Sequence, residues 1–150
     1  MSLKTQINDD IKTAMKAKDQ ASLRALRAIK SAILLAETAE GREGDLSADE
    51  EMKLLIKQAK QRRDSANQYR ENGRDDLAQT ETEELEVIEH YLPKQLSEEE
   101  IAAEVKAIID QVGASSMKDM GKVMGMATKK MAGKADGKVI SKLVKDILSQ

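Results

Sequence analysis

Apolar residues return at helical spacing from the start of the chain. Leu3, Ile7, Ile11 and Met15 recur at every fourth position, and Leu23, Leu26, Ile29 and Ile33 continue the stripe beyond a polar break at Lys18-Asp19. Residues three and four apart share one face of a helix, so the pattern predicts two amphipathic helices. Gly41 and Gly44 end the second. Ser47-Ala48-Asp49-Glu50 has the spacing of a capping box, in which a Ser hydroxyl and a Glu carboxylate reciprocally satisfy free amides at a helix start. The long helix that it opens carries Met52, Leu55, Ile56, Ala59, Ala66 and Tyr69 on one face, with Gly73 as its stop.

From Asp75 to Tyr91 the chain is acidic, holding Asp75, Asp76, Glu81, Glu83, Glu84, Glu86 and Glu89, while Leu77, Leu85, Ile88 and Leu92 keep helical spacing. This is a helix with a solvated face. Pro93, the only proline, ends it, because proline lacks an amide hydrogen and restricts the residue before it. The domain boundary is placed there: residues 1–93 form an N-terminal helical domain of about four helices, and residues 94–150 a small three-helix domain. In the second, Ser97-Glu98-Glu99-Glu100 is another capping box, opening a helix with Ile101, Val105, Ile108 and Val112 in one stripe and Gly113 as its stop. Ser116 caps a methionine-rich helix running to about Ala132. Asp136 caps a last helix lined by Ile140, Leu143, Val144, Ile147 and Leu148.

Composition narrows the picture. Among 150 residues there are two Tyr, no Phe, no Trp and eight Met, a set that favours an all-α fold over a sheet. The same deficit argues against reading single-stranded nucleic acid by base stacking, which needs aromatic platforms, so any RNA contact is expected through backbone and shape. With no Cys, thiolate zinc sites, disulfides and cysteine nucleophiles are excluded. No apolar stretch reaches the roughly 18 residues of a membrane span, and Met1-Ser2-Leu3-Lys4 does not open a secretory signal. The expectation is a cytoplasmic protein without a membrane partner.

Charge is regional. The chain has a net charge of −2, but from Gly113 onward eight Lys stand against Asp119, Asp136 and Asp146, a local +5. Residues 1–92 hold 15 basic and 19 acidic groups, and residues 93–150 hold 10 and 8. Gly133-Lys134-Ala135-Asp136-Gly137-Lys138 predicts a tight corner between two lysine-bearing helices. Lys122 and Lys129 share a face by i,i+7 spacing, and Lys138, Lys142 and Lys145 share another by i,i+4,i+7. Together with Lys130 and Lys134 they form a candidate phosphate-binding surface, with Pro93, Gly133, Asp136 and Gly137 as its structural residues. The glycines do not make a P-loop, because the G-x-x-x-x-G-K-[ST] order is missing.

Other features read as structure. Met117, Met120, Met124 and Met131 lie on one side of their helix as flexible core filler. Gly121 and Gly125 have the spacing of closely packed helices. Arg62, Arg63, Arg70 and Arg74 are expected to pair with the acidic run. His90, the only histidine, has no nucleophile or metal-ligand partner at a recognisable spacing and is read as partly packed. No catalytic residue, metal site or cofactor is assigned.

Read together, Arg63-Asp64-Ser65, Tyr69, Gly73-Arg74-Asp75-Asp76-Leu77-Ala78, Glu81, Glu84-Leu85, Tyr91-Leu92-Pro93-Lys94-Gln95-Leu96-Ser97 and Gly133-Lys134-Ala135-Asp136-Gly137-Lys138 resemble the YqeY family over essentially the whole chain. The C-terminal part of that family is similar to the tail domain of GatB, a subunit of the glutamine-dependent amidotransferase that acts on misacylated tRNA. The resemblance implies a tRNA-contacting accessory module. It also carries an association with carbon-nitrogen ligase activity using glutamine as amido-N donor, but this chain lacks the large catalytic portion of GatB. The expectation is therefore a free-standing module for tRNA or a tRNA-containing complex, non-catalytic by itself. The alternative is a helical adaptor docking on an aminoacyl-tRNA synthetase or amidotransferase.

Overall fold

The computed structural model describes residues 2–39, 41–42 and 44–150. Among the described residues seven α-helices follow one another: α1 (Leu3–Ala17), α2 (Gln20–Glu37), α3 (Ala48–Glu71), α4 (Asp75–Glu89), α5 (Glu98–Val112), α6 (Met120–Lys130) and α7 (Gly137–Leu148). Among the described residues there is no strand, so the fold is all-α. None of the described helices is long and apolar enough to cross a membrane.

Local chemistry sets the ends of these helices. Lys18 turns α1 off with a left-handed φ of 56°, and the Asp19 carboxylate accepts from the Ser22 amide at 3.1 Å to start α2. Both capping boxes close. The Ser47 amide donates to Glu50 at 2.7 Å and the Glu50 amide to Ser47 Oγ at 3.2 Å; Ser97 and Glu100 repeat this at 3.3 and 3.2 Å. Two boundaries differ from the sequence reading. Helix α2 stops at Glu37, before Gly41, with Thr38 as its C-cap and the Thr38 hydroxyl donating to the Leu34 carbonyl at 2.9 Å. The methionine-rich segment begins as a 3₁₀ turn over Met117–Asp119 and becomes α-helical only from Met120 to Lys130.

The chain divides into two compact units, Met1–Leu92 and Pro93–Gln150. In the first, α1 and α4 each pack on α2, and α3 packs along α4. Its core contains Leu3, Ile7, Leu23, Leu26, Ile29 and Ile33 from the predicted stripes, joined by Leu55, Ala59 and Ile88. Ala66 on α3 and Ala78 on α4 are also buried, and side chains this small let helix backbones approach closely. In the second unit α5, α6 and α7 pack pairwise around Val105, Ile108, Val123, Met131, Ile140 and Val144. Each fully buried Ile or Val there contributes about 1.5–3 kcal/mol relative to exposure.

Candidate nucleic-acid interface

The corner between α6 and α7 is built from backbone up. After α6 the Lys134 amide donates to the Met131 carbonyl at 2.9 Å. Gly133 between them is buried with φ 76°, a left-handed conformation that costs glycine little and other residues more. Asp136 then caps α7, its carboxylate accepting from the Lys138 amide at 3.2 Å. Gly137 is the first residue of that helix. The segment after Pro93 holds the corner from the other side. Gln95 Nε2 donates to the carbonyls of Gly133 at 2.7 Å and Pro93 at 3.0 Å, and the Leu96 amide donates to the Lys134 carbonyl at 2.8 Å. Gln95, which sequence reasoning passed over, thus ties Pro93 to Gly133, while Asp136 and Gly137 form the start of α7 just beyond the corner.

On this frame Lys122, Lys129, Lys130, Lys134, Lys138, Lys142 and Lys145 are all exposed. Val123 and Ala127 bury the inner side of α6, leaving Lys122 and Lys129 outward; Ile140, Val144 and Leu148 do the same for α7, leaving Lys138, Lys142 and Lys145 outward. Lys130 departs from the set. Its ammonium is 2.6 Å from Glu104 on α5, so its charge is already partly neutralised. Among the described residues no ion pair is drawn to Lys122, Lys129, Lys134, Lys142 or Lys145.

The glycine expectation is corrected. Gly121 and Gly125 are exposed, and a Cβ built on either meets nothing within 4 Å, so they do not mediate packing of α6 within the chain. Gly125 instead lies three residues after Lys122 and four before Lys129, on the same exposed side of the helix. The methionine reading holds in the main: Met131 is buried and Met120 and Met124 pack against the core, whereas Met117 is exposed.

The acidic helix of the first unit is a pairing surface. Glu84, 7% exposed, accepts from Arg24 Nε at 3.1 Å and Arg62 Nη1 at 3.0 Å. Glu83 pairs with Arg24 at 3.1 Å and Glu81 with Arg62 at 3.0 Å. Of the expected arginines, Arg62 and Arg74 meet carboxylates, Arg74 by way of Asp76 at 3.1 Å, while Arg70 donates to Asn67 and Thr82. Arg63 acts on Glu89, whose carboxyl burial pushes up and the guanidinium pulls back down. Arg24 was missed, since its partners lie about sixty residues along the chain and no local pattern marks so distant a contact. His90 is exposed rather than partly packed, standing edge-on to Tyr91 with ring centroids 5.8 Å apart. The Tyr91 hydroxyl donates to Asp10; burial, reinforced by that bond, pushes the phenol above its ordinary range.

The chain as a whole is similar to known proteins. The family model described as Yqey-like protein matches residues 4–148. Relatives named "Altered inheritance of mitochondria protein 41, mitochondrial" include one from Clavispora lusitaniae, 33% identical over 115 residues, covering 75% of this chain and 66% of the relative. One from Pyrenophora tritici-repentis is 29% identical over 149 residues, covering 95% and 79%. Another from Saccharomyces cerevisiae strain YJM789 is 36% identical over 107 residues, covering 69% and 57%. This chain thus spans between 57% and 79% of the length of these three relatives. The cytoplasmic expectation is corrected by these matches, because the relatives are named as mitochondrial proteins. It rested on the lack of a membrane-length apolar stretch and of a secretory start, neither of which distinguishes one aqueous compartment from another. A match over nearly every residue shows that the chain belongs to the YqeY-like family.

Proposed function

We propose that the C-terminal unit is an RNA-binding module whose partner is tRNA or a tRNA-containing complex, such as one formed with an aminoacyl-tRNA synthetase or amidotransferase. The observation that carries the reading is the row of exposed ammonium groups on α6, the corner and α7, held on a backbone that Gln95 and Leu96 fix in place. Lysines on such a frame neutralise phosphates and release counterions. Both tyrosines of the chain lie before Pro93, so the unit offers no stacking platform, and contact runs through the RNA backbone and its shape. Gly125 between Lys122 and Lys129 lets a phosphate strand come close to the α6 backbone. The role is one of binding, with no glutamine- or ATP-dependent step assigned to the chain.

The test is charge reversal at Lys134 and Lys142, both exposed. A Lys134→Glu/Lys142→Glu protein with an unchanged circular dichroism spectrum is expected to bind tRNA at least tenfold more weakly. A folded variant that binds as tightly as the parent overturns the reading.

A further inference from the structure

Helices α1 and α4 are each packed on α2 without packing closely on one another, and between them lies a groove of ≈ 590 Å³. One wall is Asp10, Thr13, Ala14 and Ala17 of α1. The facing wall is Glu83, Glu86 and Val87 of α4 with His90 at its end. Both sets run i, i+3, i+4, i+7, the spacing of a single helix face. The floor is the start of α2, through Ala21, Ser22 and Leu26. Three helices therefore turn faces toward a space that none of the described elements of the first unit fills.

Shape and charge agree on an occupant. Each wall spans eight residues, seven helical steps that make a run of ~10 Å or two turns. Ala14, Ala17 and Ala21 keep the inner surface shallow, as a backbone needs in order to seat closely. The rim carries Asp10, Asp19, Glu83 and Glu86, and the lining includes no Lys or Arg. Some of this charge is engaged: Arg24, just outside, pairs with Glu83, Tyr91 donates to Asp10, and Asp19 caps α2. Glu86 is exposed, with no ion pair drawn to it among the described residues.

We infer that this groove is the docking site for a basic amphipathic helix of another protein, with small apolar residues along about two turns and Lys or Arg on the flanks. The inner stripe seats on Ala17, Ala21 and Val87, which keep exposed surface above the buried Ala14 and Leu26, and the flanking cations meet Glu86 and its neighbours on the rim, the helix-in-groove mode of recognition. The site is independent of the RNA reading and lies wholly in the first unit.

The probe is a synthetic fifteen-residue helix with Ala and Leu at i, i+3, i+4, i+7 and Lys on the flanks, titrated into the intact ¹⁵N-labelled protein. A scrambled peptide of the same composition and spermine are titrated in parallel. The expected result is chemical-shift change confined to the facing residues of α1, α2 and α4, with affinity at least tenfold weaker for the scrambled peptide. Glu86→Lys, a reversal at an exposed position, and Ala17→Leu, which fills the groove, are each expected to weaken the ordered peptide at least tenfold while leaving the melting curve in place. Equal binding of the scrambled peptide or spermine overturns the inference, as does an unaffected Glu86→Lys protein. A concentration-dependent self-association that shifts the same residues also overturns it, because the occupant is then a second copy.

Discussion

The Gln95 side-chain amide donates to the Gly133 carbonyl at 2.7 Å. The bond joins the segment following the sole proline to the glycine corner, two stretches that stand apart in sequence, and the neighbouring Leu96 to Lys134 bond at 2.8 Å doubles the tie. Removing the amide leaves a part-buried carbonyl without its donor, at a cost of about 1–2 kcal/mol. Gln95→Ala is therefore expected to lower the stability of the intact chain by that amount in denaturant titration and to speed hydrogen exchange at the Leu96 amide. Unchanged exchange there would show that the corner stands without the clamp.

Glu84 and Glu83 are adjacent in sequence and unequal in environment. Glu84 is buried and shared between Arg24 and Arg62, whereas the Glu83 and Arg24 side chains are 38% and 45% exposed. A charge-assisted bond in a buried setting is worth more than a solvent-screened pair. Glu84→Ala is expected to cost about 2–3 kcal/mol and Glu83→Ala less than about 1 kcal/mol, measured by urea unfolding. Equal effects would contradict the central role of Glu84 in joining α2, α3 and α4.

Gly121 and Gly125 lower the helix propensity of α6 without a packing gain inside the chain. Replacing either by Ala is expected to stabilise the protein by about 1 kcal/mol. If the exposed α6 face receives an RNA strand, Gly125→Ala should at the same time weaken tRNA binding. Thermal melting and binding measured on one preparation separate the two effects, and stabilisation with undiminished binding would remove α6 from the contact surface.

Acid should loosen the start of α3. Arg42 makes a two-pronged contact with Glu50 at 2.6 and 2.7 Å, which, with the Ser47 amide, holds the Glu50 carboxyl at about 2 against an ordinary 4.5. A lowered folded-state value means that the contribution is present above pH 4.5 and is lost as pH falls toward about 2. Glu50→Gln is expected to melt below the parent at neutral pH and to match it near pH 2. A difference that persists unchanged to that pH would contradict the assignment.

Much of the fold was legible because local rules govern it. The stripes through Leu3 to Ile33 and Ile101 to Val112, both capping boxes, and the stops at Lys18 and Gly113 depend on residues within one helix turn of each other, and they appear in the structure, except that Met15, the last position of the first stripe, is exposed rather than packed. The candidate lysines were legible as outward-facing for the same reason. What escaped depends on distance in sequence: Arg24 reaching Glu84, Gln95 reaching Gly133, and Lys130 turned to Glu104 by the packing of α5 beside α6. The glycine pair misled because its spacing is compatible with close packing but does not say whether a helix lies opposite. The groove was invisible for a related reason, since it forms from what α1 and α4 leave uncovered on α2.

The most direct measurement is tRNA binding by the intact protein, followed by fluorescence anisotropy across a salt series. Contacts from Lys122, Lys129, Lys134 and Lys142 should give a log–log salt slope of about 3–4, reduced by about 2 in the Lys134→Glu/Lys142→Glu protein. No binding at low salt, or a slope that the double reversal leaves unchanged, would contradict the assignment of the α6–α7 corner to RNA.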